Sequence, residues 1–425
     1  MVCRSTMRDQ ATSKTQSKKN RFTKPRLRAL DAFRGMTVVF MILVNNPGSW
    51  SAMYSPLRHA TWHGCTPTDL VFPFFLFATG NALAFMMHAS HGWSNRQFWN
   101  RVVRRTVLIF LIGLLLNASP FFQWSKEGEL VLKDYANLRI MGVLQRIALS
   151  FGCAAILIRY CSKGSSLRNI AWISAGLLLI YWFLCLFLTK AKDPLSLEGF
   201  PGTKIDLTLF GASHLYQGEG LPFDPEGLLS TIPCVAQVLI GWCVGQLILT
   251  NKIGFDLLGR LCTMAIYLLI VAYFWQFVYP LNKKIWTSSF TLWTSGLAIA
   301  SLVVFIHLID IFGVSQPKDS RLKRLSFNVV FSLVAFFEIF GRNPLFLFVL
   351  SGLLPRLLGL IRWETGVDSI GQPIRTTVLP WLYQTIFKPL SEDPRLGSLL
   401  YSIALLLLYA GIAWLMDKKK IYVRV

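Results

Sequence analysis

The sequence predicts an all-α fold, a polytopic integral membrane bundle of about ten transmembrane helices, and three observations predict it. Of the 425 residues 53% are apolar and only 15% charged, and the mean hydropathy is +0.48, which lies outside the range of soluble globular chains. Ten apolar runs approach the roughly 20 residues that a helix needs to cross a ~30 Å hydrocarbon layer. Basic residues gather in alternate short connections beside those runs, a pattern that records orientation in a membrane.

In chain order the runs lie near 30–47, 68–90, 101–118, 139–159, 169–189, 228–250, 258–279, 288–312, 343–361 and 396–416. A further apolar stretch, 327–341, is too short to cross and reads as a re-entrant or interfacial segment ending at Gly341-Arg342-Asn343-Pro344. The net charge of +22 raises the question of nucleic acid, but the cations sit beside membrane spans. The expected partner is therefore the lipid bilayer and not nucleic acid. Residues 1–28 hold nine Lys or Arg against one acid, which places the N-terminus in the cytoplasm. Ten spans return Lys418-Lys419-Lys420 to the same side. Connections 91–105, 159–168 and 313–326 hold four, three and four bases against none, none and one acid. The opposite loops differ: 190–227 has six acids and three bases, 362–395 is balanced, and 47–68 holds only Arg58. The exception is the short outward turn with Lys283 and Lys284.

Residues 1–25 lack an apolar signal region and read as a disordered basic cytoplasmic tail, followed by one transmembrane domain over 26–425. Eight cysteines without CxxC spacing read as small apolar fillers. No internal repeat is visible, and loop 190–227, rich in Gly, Pro and acids, reads as a lid over a substrate.

Polar and titratable groups concentrate at both ends of the first span and the start of the second. Asp31 and Arg34, three apart on a helix, can pair near the cytoplasmic boundary. Asn45 closes the first span and Asn46-Pro47-Gly48 breaks the helix. His59 and His63 are the general-base candidates, because imidazole takes up a proton near neutral pH; from the residues alone each reads more readily as an interfacial residue than as a catalyst. A metal held by the two is disfavoured, since neither a helical HExxH pattern nor a cysteine cluster completes a site. Asp69 either orients a histidine or caps the helix that follows Thr66 and Pro67. Arg139 and Arg146 open the fourth span, Arg146 deep enough to require a partner or a wet cavity. An intramembrane acid and an anionic donor or sugar are both open as that partner. Asn282 and Trp286 lie on the same outer side, Trp286 as a sugar-stacking face or an ordinary interfacial tryptophan.

Together these motifs resemble the heparan-α-glucosaminide N-acetyltransferase family. LDAFRG at 30–35, the asparagine ending that span and HATWHGCTPTDLVFPFFLF at 59–77 occur in the family's order. LRIMGVLQR at 138–146, FDPEGLLSTIP at 223–233 and PLNKKIWTSSF at 280–290 add support. The resemblance implies His59, not His63, as the active-site histidine, with Asn45 and Asp69 as its companions. It also implies acetyl-CoA as the cytosolic donor, without a metal, and the amino group of a glucosamine sugar across the membrane as acceptor. On that reading Arg101, Arg104 and Arg105 attract the nucleotide phosphates at the cytoplasmic mouth, and Arg139, Arg146, Asn282 and Trp286 contact substrate. Asn-Asn-Pro-Gly stands where the lysosomal protein has a Gly-rich run, and no long luminal domain precedes LDAFRG. Both differences argue against lysosomal heparan sulfate as acceptor; resemblance to the family's bacterial members implies glucosamine-containing mono- or oligosaccharides, and the lack of a luminal domain a bacterial inner membrane. An amino-sugar permease and an O-acyltransferase of envelope polysaccharide are the competing readings, and a homodimer is left open.

Overall fold

A computed structural model describes residues 27–423 except 91–92, 126–127, 162–165, 314–320 and 368–372. The expected tail 1–25 therefore lies outside the described residues. Two ends of the bundle are distinguished below: a basal end, carrying Arg28 and Lys418, and a loop end, carrying 46–70, 190–227 and 280–287.

Helix α1 (Arg28–Asn45) rises from the basal end and stops where Asn46 turns its side-chain amide back on the Ile42 carbonyl, 2.9 Å. A short turn at Pro67–Leu70 leads into α2 (Val71–Ala89). Ser94 caps α3 (Asn95–Ala118) by accepting from the Gln97 amide at 3.2 Å, and Gln97 reciprocates. There follow α4 (Val143–Cys161), α5 (Ser166–Phe187), the short α6 (Pro201–Phe210), α7 (Thr231–Thr250), α8 (Phe255–Trp275) and α9 (Ser288–Ile306). The chain continues through α10 (Arg321–Arg342), α11 (Pro344–Leu358), α12 (Val378–Leu382) and α13 (Pro394–Lys418). Two antiparallel hairpins decorate the loop end, β1 (Phe122–Trp124) with β2 (Leu130–Leu132) and β3 (Arg362–Val367) with β4 (Pro373–Thr377).

Helix α7 is the centre of the bundle, with 83% of its apolar window buried, against 28% for α5, α8 and α13 at the lipid-facing periphery. It packs most intimately on α2. A Cβ on Gly80 would lie 2.0 Å from the Val238 carbonyl, and one on Gly241 2.3 Å from that of Phe77. In lipid, helices associate by such close backbone approach, because no hydrophobic gain separates one apolar face from another. The same device joins α1 to α10, where a Cβ on Gly35 would strike the Phe337 carbonyl at 1.6 Å.

A helix occupies each of the ten expected runs, but their apolar character is uneven. Among the described residues seven helices are long and apolar enough to cross a membrane, and a bent pair makes an eighth. The remaining two, α1 and α3, have the length but carry Arg28, Asp31 and Arg34, and Arg96, Arg101, Arg104 and Arg105, in their basal turns. The stretch 327–341 is longer than expected, forming the C-terminal part of the 22-residue α10. It bends by 79° against the 15-residue α11 and packs closely on α1. The expected lid is more built than anticipated. It holds α6, and its Leu195, Phe200 and Phe223 pack with Tyr279 and Ile285 in a small core of their own.

Candidate active site

The loop end gathers a compact polar cluster around Asp69. Thr66 in extended backbone and Pro67 at the first helical position start the turn that carries Asp69. Only 1% of the Asp69 side chain is exposed. Its Oδ2 accepts from the backbone N–H of Thr66 at 3.0 Å and of Ala60 at 3.1 Å, and its Oδ1 lies 2.7 Å from His59 Nδ1. A carboxylate so placed only accepts, so the ring proton belongs on Nδ1 and the Nε2 lone pair is left free. Asp69 thus both caps the turn and orients the histidine; the two readings of the sequence are one arrangement. His59 itself is 41% exposed, open to a second reactant.

A second loop completes the cluster. The Gly64 N–H donates to the Leu281 carbonyl at 2.7 Å, tying segment 46–66 to 280–287. Lys283 then stands with Nζ 3.1 Å from His59 Nδ1 and 3.4 Å from Asp69 Oδ1. Burial pushes this ammonium below the ordinary lysine range, while Asp69 and Glu226 pull it back up. Lys283 was read from the sequence only as an orientation anomaly, a basic pair in an outward turn. That anomaly was the signal: a cation kept where topology disfavours one has another reason to be there. His63, also lowered by burial, faces away from Asp69 and lies 3.4 Å from the Asn282 side-chain amide.

The other sequence candidates scatter. Trp286 is 1% exposed, enclosed by Phe72 and Phe290, with Nε1 donating to Gln237 Oε1 at 3.2 Å. No open face is left for a sugar, and the expectation of stacking is corrected: the left-handed turn at Trp286, φ 51°, rotates the ring into the core. Asn282, fully buried, accepts from the Ile285 N–H at 3.1 Å and shapes the loop that presents Lys283. Arg146, 0% exposed, donates to the Gly227 carbonyl at 3.0 Å and to Ser230 Oγ, and its guanidinium lies 5.4 Å from the Trp286 ring centre. It fastens the start of α7 from within through Nη2, while its Nε and Nη1 are buried without a hydrogen-bond partner. Arg139 pairs with Asp224 at 2.6 Å and with Glu226. Burial works against its charge, but the two carboxylates outweigh it and raise the group above the ordinary arginine range.

Two cavities lie end to end between α1, α3, α4 and α11, sharing Leu144 and Phe348 in their walls. The basal one, about 470 Å³, is lined by Arg34, Arg105 and Arg342. The upper one, about 370 Å³, is lined by Asn45, Asn117, Arg139, Gln145 and Arg356. Asn45 therefore faces a cavity wall, with no hydrogen bond to the His59–Asp69 pair. Of the three basal arginines chosen from the sequence, Arg105 lines the cavity with its Nε buried and unpartnered. Arg101 is exposed and covers Trp93, 4.0 Å to the ring centre, and Arg104 is exposed. Arg34 and Arg342 were missed as a group, because 308 residues of sequence separate them and the packing of Gly341 on Gly35 brings their helices together. As the spacing predicted, Arg34 also pairs with Asp31, at 2.6 Å.

The sequence profile of the catalytic region of heparan-alpha-glucosaminide N-acetyltransferase matches residues 26–269, more than half of the chain. The chain belongs to this family. It is 28% identical to the human heparan-alpha-glucosaminide N-acetyltransferase over 344 residues, covering 68% of this chain and 50% of the human one. Against the mouse protein of the same name it is 26% identical over 360 residues, covering 72% and 52%. The chain thus spans about half the length of the curated relatives it matches. The matched region holds His59, Asp69, Arg105, Arg139 and Arg146, whereas Lys283, Trp286 and Arg342 lie beyond it.

Proposed function

We propose that this protein transfers an acetyl group from acetyl-CoA, entering at the basal end, to the amino group of a glucosamine-containing sugar at the loop end. The observation that carries the reading is the His59–Asp69 pair, with a buried carboxylate on Nδ1 and a free Nε2 at an accessible surface. In the reaction the amine nitrogen attacks the thioester carbonyl while Nε2 takes its proton. The C–N bond forms, the C–S bond breaks, and the imidazolium returns the proton to the departing CoA thiolate. A variant route passes through an acetyl group on Nε2 of His59, released to the sugar in a second step.

Donor binding is supported by the basal cavity. Three guanidinium groups line it, the kind that phosphates select: Arg34 is paired with Asp31 and Arg342 with Glu338 and Asp417, while the Nε of Arg105 is buried without a partner. Arg34 and Asn45 are eleven residues apart on α1, about 16 Å along the helix, a span suited to an extended pantetheine arm. The Asn45 carboxamide supplies a hydrogen bond to the thioester oxygen as it gains charge. Sidedness follows from loop charge: the basal end is cytoplasmic, both termini included, and the acid-rich 190–227 lies outside, as in a bacterial inner membrane.

The test is acetyl transfer from labelled acetyl-CoA to glucosamine by purified protein in liposomes, comparing the unmodified chain with His59→Ala and His63→Ala. N-acetylated sugar from the unmodified chain and His63→Ala, but not from His59→Ala, is the expected result. Sugar uptake without acetylation in all three would replace this reading by a permease, and an ester-linked product would replace it by O-acylation.

A further inference from the structure

The Lys283 ammonium is as much a part of the His59 environment as Asp69 is. An Nδ1 that donates its proton to Asp69 Oδ1 has no lone pair for a second donor. The 3.1 Å contact between Lys283 Nζ and Nδ1 is therefore a close approach of a cation to the ring, not a hydrogen bond to it. Only Asp69 Oδ1, at 3.4 Å, receives the lysine in this cluster.

Asp69 and Lys283 act on His59 in opposite senses. A buried carboxylate on Nδ1 orients the ring, but it also stabilises the imidazolium, and an imidazolium is useless as a base. A cation 3.1 Å from the same nitrogen destabilises the imidazolium and leaves the orientation untouched. We infer that Lys283 is a positioning residue, a fixed counter-charge that lets Asp69 orient His59 while the ring stays neutral and able to accept a proton. This deepens the acetyltransferase reading and rests on it for its biological meaning, though not for its physical test.

The remaining charges near the cluster leave this role to Lys283. Arg58 turns away to the Ser51 carbonyl at 2.8 Å. Lys284 pairs with Glu219 at 2.5 Å. Glu226, which attracts Lys283, is held by Arg139. Cys65 is raised to about 12 by burial and by Asp69, so it stays an uncharged thiol. Burial holds His63 below the ordinary histidine range, against the pull of Asp193.

The experiment uses the full chain with ring-labelled histidine in nanodiscs. The chain has six histidines, and a His59→Gln sample identifies the His59 signal. In Lys283→Met the His59 ring should titrate about one pH unit higher than in the unmodified protein, toward the low end of charge-pair effects because the ring is partly solvated. Lys283→Arg, which keeps the charge, should titrate with the unmodified protein, and Lys283→Gln should follow Lys283→Met. In the acetyl-transfer assay the acid limb of kcat/KM should move up by the same amount in Lys283→Met, with the rate recovering at higher pH. A His59 midpoint unmoved in both neutral variants overturns the inference. So does a loss of rate by the same factor at every pH, which marks a structural or substrate-binding lysine. If the unmodified chain acetylates no sugar while the midpoint still moves, the counter-charge stands and the acetyltransferase reading fails.

Discussion

Replacing Asp69 with asparagine changes one atom and removes the negative charge that the loop-end cluster is built around. Three donors converge on this carboxylate: His59 Nδ1 at 2.7 Å, Thr66 N at 3.0 Å and Ala60 N at 3.1 Å. A bond to a charged acceptor contributes about 1.5–3 kcal/mol and a neutral one about 1 kcal/mol. Neutralising the acceptor therefore costs about 0.5–2 kcal/mol for each bond that survives with its geometry. The chemical effect is larger. An asparagine side chain offers His59 either its oxygen or its NH2, and the NH2 selects the tautomer with the proton on Nε2, which cannot act as base. Loss of an orienting carboxylate beside a catalytic histidine lowers kcat by about 10³–10⁴. We expect Asp69→Asn to fold, with a lowered unfolding temperature in detergent, and to lose acetyl transfer by about that factor. Asp69→Glu should retain more activity by keeping the charge, even with the two backbone bonds disturbed. An Asp69→Asn protein within about threefold of the unmodified rate, while His59→Ala is inactive, would refute the orienting role and leave Asp69 as a helix cap alone.

Two further predictions concern groups outside the cluster. Arg105→Gln should raise the KM for acetyl-CoA by about tenfold or more, the value of a charge-assisted phosphate contact. Arg101→Gln, which alters only a cation over Trp93, should leave it near normal; steady-state kinetics in liposomes reads both. Asp206, buried at the lid and raised to about 6 by burial, against a bond from the Leu228 N–H and with Asp224 adding to the rise, makes the fold pH-sensitive. Its protonated form is favoured on folding. The contribution of Asp206 to stability should therefore be fully present below about pH 4, be lost by up to about 3 kcal/mol as pH rises through 4 to 6, and stay level above that. Asp206→Asn should flatten this fall in thermal unfolding measured across the same range, and an unchanged slope would sink the assignment.

Much of the architecture was legible in the chain because lipid imposes simple rules. Apolar runs marked a helix at each of ten places, since unpaired backbone amides are too costly in hydrocarbon for anything else. The Asp31–Arg34 pair and the break after Asn45 followed from helical spacing and from Asn46-Pro47-Gly48. Asp69 beside His59 was legible through local chemistry, a carboxylate and an imidazole ten residues apart across a turn. The sequence left open which histidine Asp69 meets, and only its resemblance to the family favoured His59.

Tertiary structure decided the rest, because the remaining contacts join segments remote in sequence. Lys283 reaches His59 across 224 residues, which no local pattern encodes. Trp286 and Arg146 carried the same marks of a ligand site as residues that line one. Burial against Phe72, Gln237 and Ser230 turned them inward, because a large ring and a cation inside a bundle stay only where partners enclose them. Arg34, Arg105 and Arg342 line one cavity because α10 packs closely on α1. By itself the sequence determined what the bilayer and the local backbone demand: the helices, the turn and the kinds of groups at the loop end. Which of those groups meet was decided by packing, since the free energy of a contact depends on the distance and enclosure of two side chains and not on their separation along the chain.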